Sequence, residues 1–265
     1  MERIAPDLRR DVIAEAIADV AEAPITLLPL ADSTNSLAAG YAAENTDAAL
    51  ALFIADSQSC GRGRLGRSFL SRKGVGLYLS LLVRQRLEAR DALGLTTLAA
   101  VSVCEALERL TPLKPKIKWV NDIYVNDRKL AGILTEGRLS SDGSTNMEYA
   151  IVGIGINVKR QDMASLDQPA TDIESECGLT VERDRLAGEI CRIFLSRLGD
   201  IGEKYIFEQY TSRSCLDGRR VMVIKPSLER EATVIGIRED FSLHIRYDDG
   251  SEEFLNTGEV STKIK

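Results

Sequence analysis

The sequence has a single histidine, a single tryptophan and five scattered cysteines in 265 residues, and each shortage removes a class of chemistry. One histidine, His244, rules out Ser-His, Cys-His and multi-histidine metal chemistry unless it carries them itself. It lies in an alternating strand pattern near the C-terminus, which reads as a structural role. Cys60, Cys104, Cys177, Cys191 and Cys215 are odd in number and contain no Cys-x-x-Cys pair, so neither a disulfide framework nor a zinc site is indicated. They read as reduced thiols, mostly buried. No apolar run approaches the ~18 residues of a membrane span. The start, Met1-Glu2-Arg3-Ile4-Ala5-Pro6-Asp7, lacks the basic-then-apolar plan of a signal peptide. The expected location is the cytoplasm. Aromatic residues make up 5% of the chain and the formal net charge is -6, which together oppose base stacking and non-specific binding to nucleic acid.

One absence is local. Between Asp56 and Glu88 there is no acidic residue, while Arg62, Arg64, Arg67, Arg72, Lys73, Arg84 and Arg86 bring seven cations. At the centre stands Gly61-Arg62-Gly63-Arg64-Leu65-Gly66-Arg67. Glycine permits close backbone approach and positive φ, and guanidinium forks match phosphate or carboxylate oxygens, so this reads as an anion-binding loop that orders around its ligand. A sticky Gly/Arg loop without a specific ligand is the other reading of such a short string.

What is present otherwise is the composition of a globular protein, 44% hydrophobic and 28% charged, with length for one substantial domain and a small one. Apolar spacing of three and four from about 8 to 23 predicts a helix ended by Pro24. A short strand at 25–30 leads to Asp32-Ser33-Thr34-Asn35, cap-forming residues before an Ala-rich helix at 36–44. The apolar run 48–55 is a buried strand that delivers the chain to the Gly/Arg loop, and 77–83 is the strand beyond it. Residues 92–110 read as a helix. Strands are expected at 117–120, 123–125, 129–136 and 148–158, with Asn126-Asp127-Arg128 as a hairpin turn. One or two helices fill 182–210. The tail of short alternating strands, with turns at Lys225-Pro226 and Asp248-Asp249-Gly250, is the size of a small β-barrel and sets a domain boundary near 215.

Lys118-Trp119-Val120-Asn121-Asp122 precedes a hairpin that ends in Lys129-Leu130-Ala131-Gly132. An Asn-Asp pair at a strand end offers oxygen ligands to a nucleotide or its Mg²⁺, and Lys129 can stabilise charge on a phosphate or carboxylate. Solvated lysines beside an ordinary Asn-Asp turn would look the same. Gly153-Ile154-Gly155-Ile156-Asn157 is a strand with one face bare, through ligand approach or tight packing. It lacks the spacing of a dinucleotide fingerprint.

In this order the segments Asp32 to Asn35, Gly61 to Arg67, Lys118 to Asp122, Lys129 to Gly132 and Gly153 to Asn157 resemble the signature set of biotin protein ligases, the biotin-[acetyl-CoA-carboxylase] ligases. The resemblance implies an α+β fold. It has a mixed, largely antiparallel sheet with flanking helices, like class II aminoacyl-tRNA synthetases, over 1–215, then a small SH3-like β-barrel over 216–265. It implies that biotin and ATP give biotinyl-5'-AMP, and that a lysine of a biotin carboxyl carrier domain then takes the biotin. By that pattern Ser33, Thr34, Asn35, Gln58, Gly61, Arg62, Arg64, Lys129, Gly132 and Gly153 bind biotin. Arg64, Arg67, Phe69, Asn121, Asp122 and Asn157 serve the nucleotide, Asp122 holds Mg²⁺, and Lys129 and Arg64 are catalytic.

The chain departs from the family at Val120, where proline is common, and at Phe69, where tryptophan is common. A leader of about 25 residues with one helix is too short for a winged-helix module, so a ligase without DNA-binding function is expected. The acceptor implied is the carrier protein of acetyl-CoA carboxylase or another biotin-dependent carboxylase, with no DNA and no membrane as partner, and sheet edges leave a homodimer open. A lipoate-protein ligase uses the same fold and adenylate logic. A non-catalytic nucleic-acid or partner-binding module would use the basic loop and the barrel alone.

Overall fold

The computed structural model describes residues 5, 7–85, 87–89, 91–142, 144–164, 166, 168–225, 228–256 and 261–264. In chain order the elements are α1 (Arg10–Ile17), β1 (Ile25–Leu28), α2 (Thr34–Glu44), β2 (Leu50–Ala55), β3 (Gly76–Val83), β4 (Leu87–Glu88), α3 (Asp91–Leu110), β5 (Lys116–Lys118), β6 (Asp122–Val125), β7 (Arg128–Leu139), β8 (Asn146–Asn157), α4 (Ile173–Cys177), α5 (Arg183–Ser196), α6 (Lys204–Thr211), β9 (Arg220–Lys225), β10 (Leu228–Ile237), β11 (Leu243–Tyr247), β12 (Glu252–Leu255) and β13 (Ser261–Ile264). An eight-stranded sheet runs β1-β2-β3-β8-β7-β6-β5, with β4 paired to β8. Only β1 with β2 is parallel within it, so the sheet is mixed.

Strand alternation sorts the residues onto two faces. Leu52 and Ile54 of β2, Leu79 and Leu81 of β3, Ala131 and Ile133 of β7, and Val152 and Ile154 of β8 enter one large core with α1, α3 and α5. Ala51, Phe53, Leu82 and Ile151 face the other way, onto Ala38 and Ala42 of α2. That second face is only partly covered. Ser80, Gly153 and Gly155 share its parity, Ser80 and Gly153 buried and Gly155 half-buried, and they form the floor of the site.

A bulge adjusts the parity of β7. Ile123 pairs with Ala131, and the next β6 residue, Tyr124, pairs with Lys129, so Leu130 is the extra residue. Lys129 and Gly132 therefore reach the same face: a Cβ on Gly132 would sit 3.4 Å from Lys129 Nζ. The preceding turn has positive φ at Asn126 (49°) and Asp127 (57°), the backbone of a tight hairpin and a conformation that Asn and Asp tolerate.

Several boundaries differ from the sequence expectation. The Ala-rich helix begins at Thr34 with Ser33 at its N-cap. The expectation of one or two helices over 182–210 resolves as two, α5 and α6, in agreement with it. The short α4 was not foreseen; Asp172 caps it by accepting from Ser175 N at 2.7 Å. Cys104 and Cys191 are buried, but Cys177 and Cys215 are half-buried and Cys60 is exposed, because Cys60 stands in the turn that enters the Gly/Arg loop. Of the expected turns, Gly250 supplies positive φ (83°), and Pro226 lies outside the described residues.

The C-terminal strands make an antiparallel sheet in the order β12-β11-β10-β9-β13. Its turn at Phe241 reaches the first sheet. Phe241 O accepts from Trp119 Nε1 at 2.8 Å, and its ring packs edge-on against Phe207 and Tyr210.

Candidate functional site

The N-terminal end of α2 and the turn after β2 come together over β3. Gln58 Oε1 accepts from Thr34 N at 2.8 Å and from Thr34 Oγ1 at 3.2 Å, while its Nε2 donates to Ser71 Oγ at 2.8 Å. Ser80 Oγ, fully buried, lies 2.7 Å from Thr34 Oγ1 and 2.6 Å from Asn35 Oδ1. Asn35 Nδ2 then donates to Leu134 O and to Glu136 Oε2. A cluster of amides and hydroxyls in which every side chain is held by another presents fixed donors and acceptors to a polar ring. Gly153 serves this cluster, since a Cβ there would collide with Asn35 Oδ1. Gly61 serves it too: the space a side chain would need is filled by Phe69 O and Ser71 Oγ.

The Gly/Arg loop crosses beside this cluster and makes a short 3₁₀ turn at Arg64–Gly66. Leu65 has φ of 57° and Gly66 of 73°, so the turn reverses in the left-handed region. Arg62 pairs with Glu136 at 2.5 Å. Arg64 is half-buried and donates to Asn121 Oδ1 at 3.0 Å. Burial lowers its pKa, only partly offset by Asp122. Among the described residues no carboxylate hydrogen-bonds this desolvated guanidinium, and its planar fork is suited to an anion.

Asn121 and Asp122 stand where β5 turns into β6. Asn121 is locked to β7, accepting from Ile133 N with its backbone and donating to Ile133 O from Nδ2 at 2.8 Å. Asp122 Oδ1 lies 2.7 Å from Lys129 Nζ, close enough for ion pairing but off the line of a hydrogen bond, and is buried with no other partner among the described residues. Lys118, opposite Asp122 on the hairpin, has its pKa lowered by burial, with Lys129 and Arg67 adding to the effect and Asp122 opposing it. Arg64, Lys118 and Lys129 thus converge around one carboxylate.

At the end of β8, Asn157 Nδ2 donates to Thr171 O at 3.0 Å and its Oδ1 accepts from Gln161. Thr171 also lines a cavity of about 510 Å³ with Arg128, Gln161, Met163 and Gln168. Phe69 lies across β8, and a Cβ on Gly155 would come within 2.7 Å of its ring.

The expected site residues therefore fall into a polar group (Ser33, Thr34, Asn35, Gln58, Gly61, Gly153), a charged group (Arg64, Asn121, Asp122, Lys129, Gly132) and a group at the β8 end (Phe69, Asn157). Arg62 points to Glu136 between α2 and β7, and Arg67, exposed on the loop, touches the charged group through its field on Arg64 and Lys118. Sequence reasoning missed Ser80, Lys118, Glu136 and Gly155 as site members. Lys118 and Gly155 lay inside the recognised motifs, whereas Ser80 and Glu136 gave no signal beyond strand parity. Among the described residues no three His, Cys, Asp or Glu side chains form a metal cage, and no helix is long and apolar enough to cross a membrane.

Residues 27–157 match the model of the biotin/lipoate A/B protein ligase family. The bifunctional ligase/repressor BirA of Escherichia coli is 34% identical over 194 residues, 71% of this chain and 57% of that protein. BirA of Bacillus subtilis is 36% identical over 56% of this chain and 46% of its own length, so the chain spans about half the length of such curated relatives. The biotin-[acetyl-CoA-carboxylase] ligase of Mycobacterium tuberculosis is 29% identical over 78% of this chain and 76% of that one. The biotin protein ligase of Aquifex aeolicus, solved with biotin and ATP, superposes with a TM-score of 0.73 at 28% identity, covering 91% of this chain and 99% of that one. The motifs, the two-faced mixed sheet and these likenesses agree: over residues 27–157 the chain matches the biotin/lipoate A/B protein ligase family, and its fold is similar to that of a solved biotin protein ligase.

Proposed function

We propose that the chain is a biotin protein ligase that forms biotinyl-5'-AMP from biotin and ATP and transfers biotin to a lysine of a carrier domain of a biotin-dependent carboxylase. The observation that carries this reading is the junction of an amide-and-hydroxyl pocket with three cations around Asp122, on one open sheet face. The pocket suits the ureido ring of biotin, through Ser33, Thr34, Asn35 and Gln58, with Gly61, Gly153 and Arg62 at its rim. The cations suit the place where a carboxylate must meet a triphosphate.

In the first step a carboxylate oxygen of biotin bonds to the α-phosphorus of ATP, and the bond from that phosphorus to the bridging oxygen breaks, releasing pyrophosphate. Two anions are brought together and charge builds on the phosphoryl oxygens, so positioning and charge compensation are the main work. Lys129, with Gly132 leaving room for its ammonium, holds the biotin carboxylate and then the mixed anhydride. Arg64 lies over the α-phosphate, and Lys118 and Arg67 meet the departing pyrophosphate. Asn121 keeps Arg64 aimed. Phe69 and Asn157 hold the adenylate, with the adenine directed to the cavity beside Thr171. In the second step the amine of the acceptor lysine attacks the acyl carbon, AMP leaves and the amine proton is lost to solvent.

ATP enters as its magnesium complex, and the metal lowers the phosphate charge. Asp122 would fit as its protein ligand, because magnesium in such sites takes one or two carboxylates with phosphates and water, and among the described residues Asp122 Oδ1 is buried with only the Lys129 ion pair beside it. We read 1–215 as the catalytic domain and the C-terminal antiparallel sheet as an SH3-like barrel over 216–265, the protein working in the cytoplasm.

Biotin-dependent release of pyrophosphate from ATP tests the reading. Lys129→Ala should reduce the rate by about 100-fold or more, the scale of losing one pre-aimed charge, with melting temperature nearly unchanged. Release driven by lipoate and not by biotin would move the chain to the lipoate branch of the family.

A further inference from the structure

Arg183 opens α5 behind the reaction face, is 0% exposed, and uses its guanidinium to join three separate segments. Nε and Nη2 form a fork onto Asp7 Oδ2 and Oδ1 at 3.0 and 2.8 Å. Nη1 donates to Asp56 Oδ1 at 2.8 Å and to Gly76 O at 3.0 Å. Asp7 also receives Lys159 Nζ at 2.8 Å. The result is a chain of charges, Asp56, Arg183, Asp7 and Lys159, with two of each sign. The two cations hold Asp7 well below the usual carboxylate range despite the opposing effect of burial.

Such groups are poor devices for stability alone, because a well-packed apolar replacement is often as stable as a buried ion pair. What a bidentate fork adds is geometry. The segments fixed here lead into the two halves of the site. Asp56, 1% exposed, stands directly after β2, two residues before Gln58, and its Oδ1 also accepts from Gly74 N. Gly76 pairs with Asn157 in the β3-β8 register. Lys159 follows Asn157 by two residues, and its backbone N donates to Val75 O at 2.8 Å.

We propose that Arg183 is a positioning residue for the ligase reaction: through Asp56 it fixes the turn that carries Gln58, and through Asp7 and Lys159 it fixes the strand end that carries Asn157. This rests on the ligase reading above, and it divides the effects of substitution by substrate. Asp56→Asn keeps the shape but loses the charge that anchors the Gln58 turn. It should raise KM for biotin about tenfold while KM for ATP stays within about twofold. Lys159→Gln loosens the other end and should raise KM for ATP about fivefold with KM for biotin unchanged, and Lys159→Arg should restore it.

The experiment is steady-state kinetics of the full chain with biotin and with ATP varied in turn, alongside thermal melts. Lys159 is 31% exposed, so its variants keep the test open even if changes at Asp56 or Arg183 prevent folding. The proposal is overturned if both KM values rise together in step with the loss of melting temperature, or if Lys159→Gln leaves KM for ATP at the wild-type value. A wild type that turns over biotin while the variants fail to separate overturns this inference alone. A wild type with no biotin turnover takes the ligase reading down with it.

Discussion

Lys118 shows how burial changes what a common residue can do. A lysine on a solvated hairpin would carry its charge to about pH 10.4, the ordinary value for the side chain. Here desolvation stabilises the neutral amine and lowers the pKa, against the attraction of Asp122. The charged form, which is the one that meets phosphate, is complete at low pH and is lost as pH rises through this lowered value. We therefore expect kcat/KM for ATP, which reports the free enzyme, to fall on the alkaline side at a lower pH than a solvated lysine would give. In Lys118→Arg, whose guanidinium does not titrate in this range, that limb should disappear, and its persistence would assign the titration to another group. The sequence contained Lys118 within a recognised string, but a solvated turn has the same letters. Only the cross-hairpin pairing with Asp122 and the packing against Tyr124, 5.5 Å from Nζ to ring centre, distinguish the two.

Among the elements, those set by local pattern were legible and those set by crossing contacts were not. The Ala- and Leu-rich stretch at 92–110 reads as a helix because its apolar positions bury against the sheet, and α3 is buried along most of its length. The Asn126-Asp127 turn was legible because both residues tolerate positive φ. The bulge that brings Lys129 and Gly132 onto one face was not, since it depends on the register of β6 against β7. Nor was the partnership of Phe69 with Gly155, which are far apart in sequence. A methyl group on Gly155 would come 2.7 Å from the Phe69 ring, closer than carbon atoms approach, and must displace it. Gly155→Ala should thus weaken ATP binding by about 10-fold, and the same change made in a Phe69→Ala background should cost little more than Phe69→Ala alone. Additive losses in that double-mutant cycle would mean that Gly155 acts by another route.

At the scale of the whole molecule, the chain concentrates positive charge where its total is negative. The net charge of -6 disfavours nucleic acid, while Arg64, Lys118 and Lys129 gather at one place on the sheet. The two sheets meet at the same hairpin: Trp119 Nε1 reaches Phe241 O, and Tyr210 of α6, packed on the Phe241 ring, donates its buried hydroxyl to Val120 O at 2.8 Å. The C-terminal sheet therefore abuts the strand end that carries Asn121 and Asp122, a contact that strand patterns in the tail could not reveal. On the proposed function, this arrangement moves biotin onto a protein. The most direct test is to incubate the purified chain with biotin, ATP, Mg²⁺ and an apo biotin carboxyl carrier domain, and to follow the carrier by intact mass. A gain of one biotinyl group per carrier, dependent on ATP and absent with Lys129→Ala, is the predicted result; an unchanged carrier mass with the wild-type chain would contradict the account.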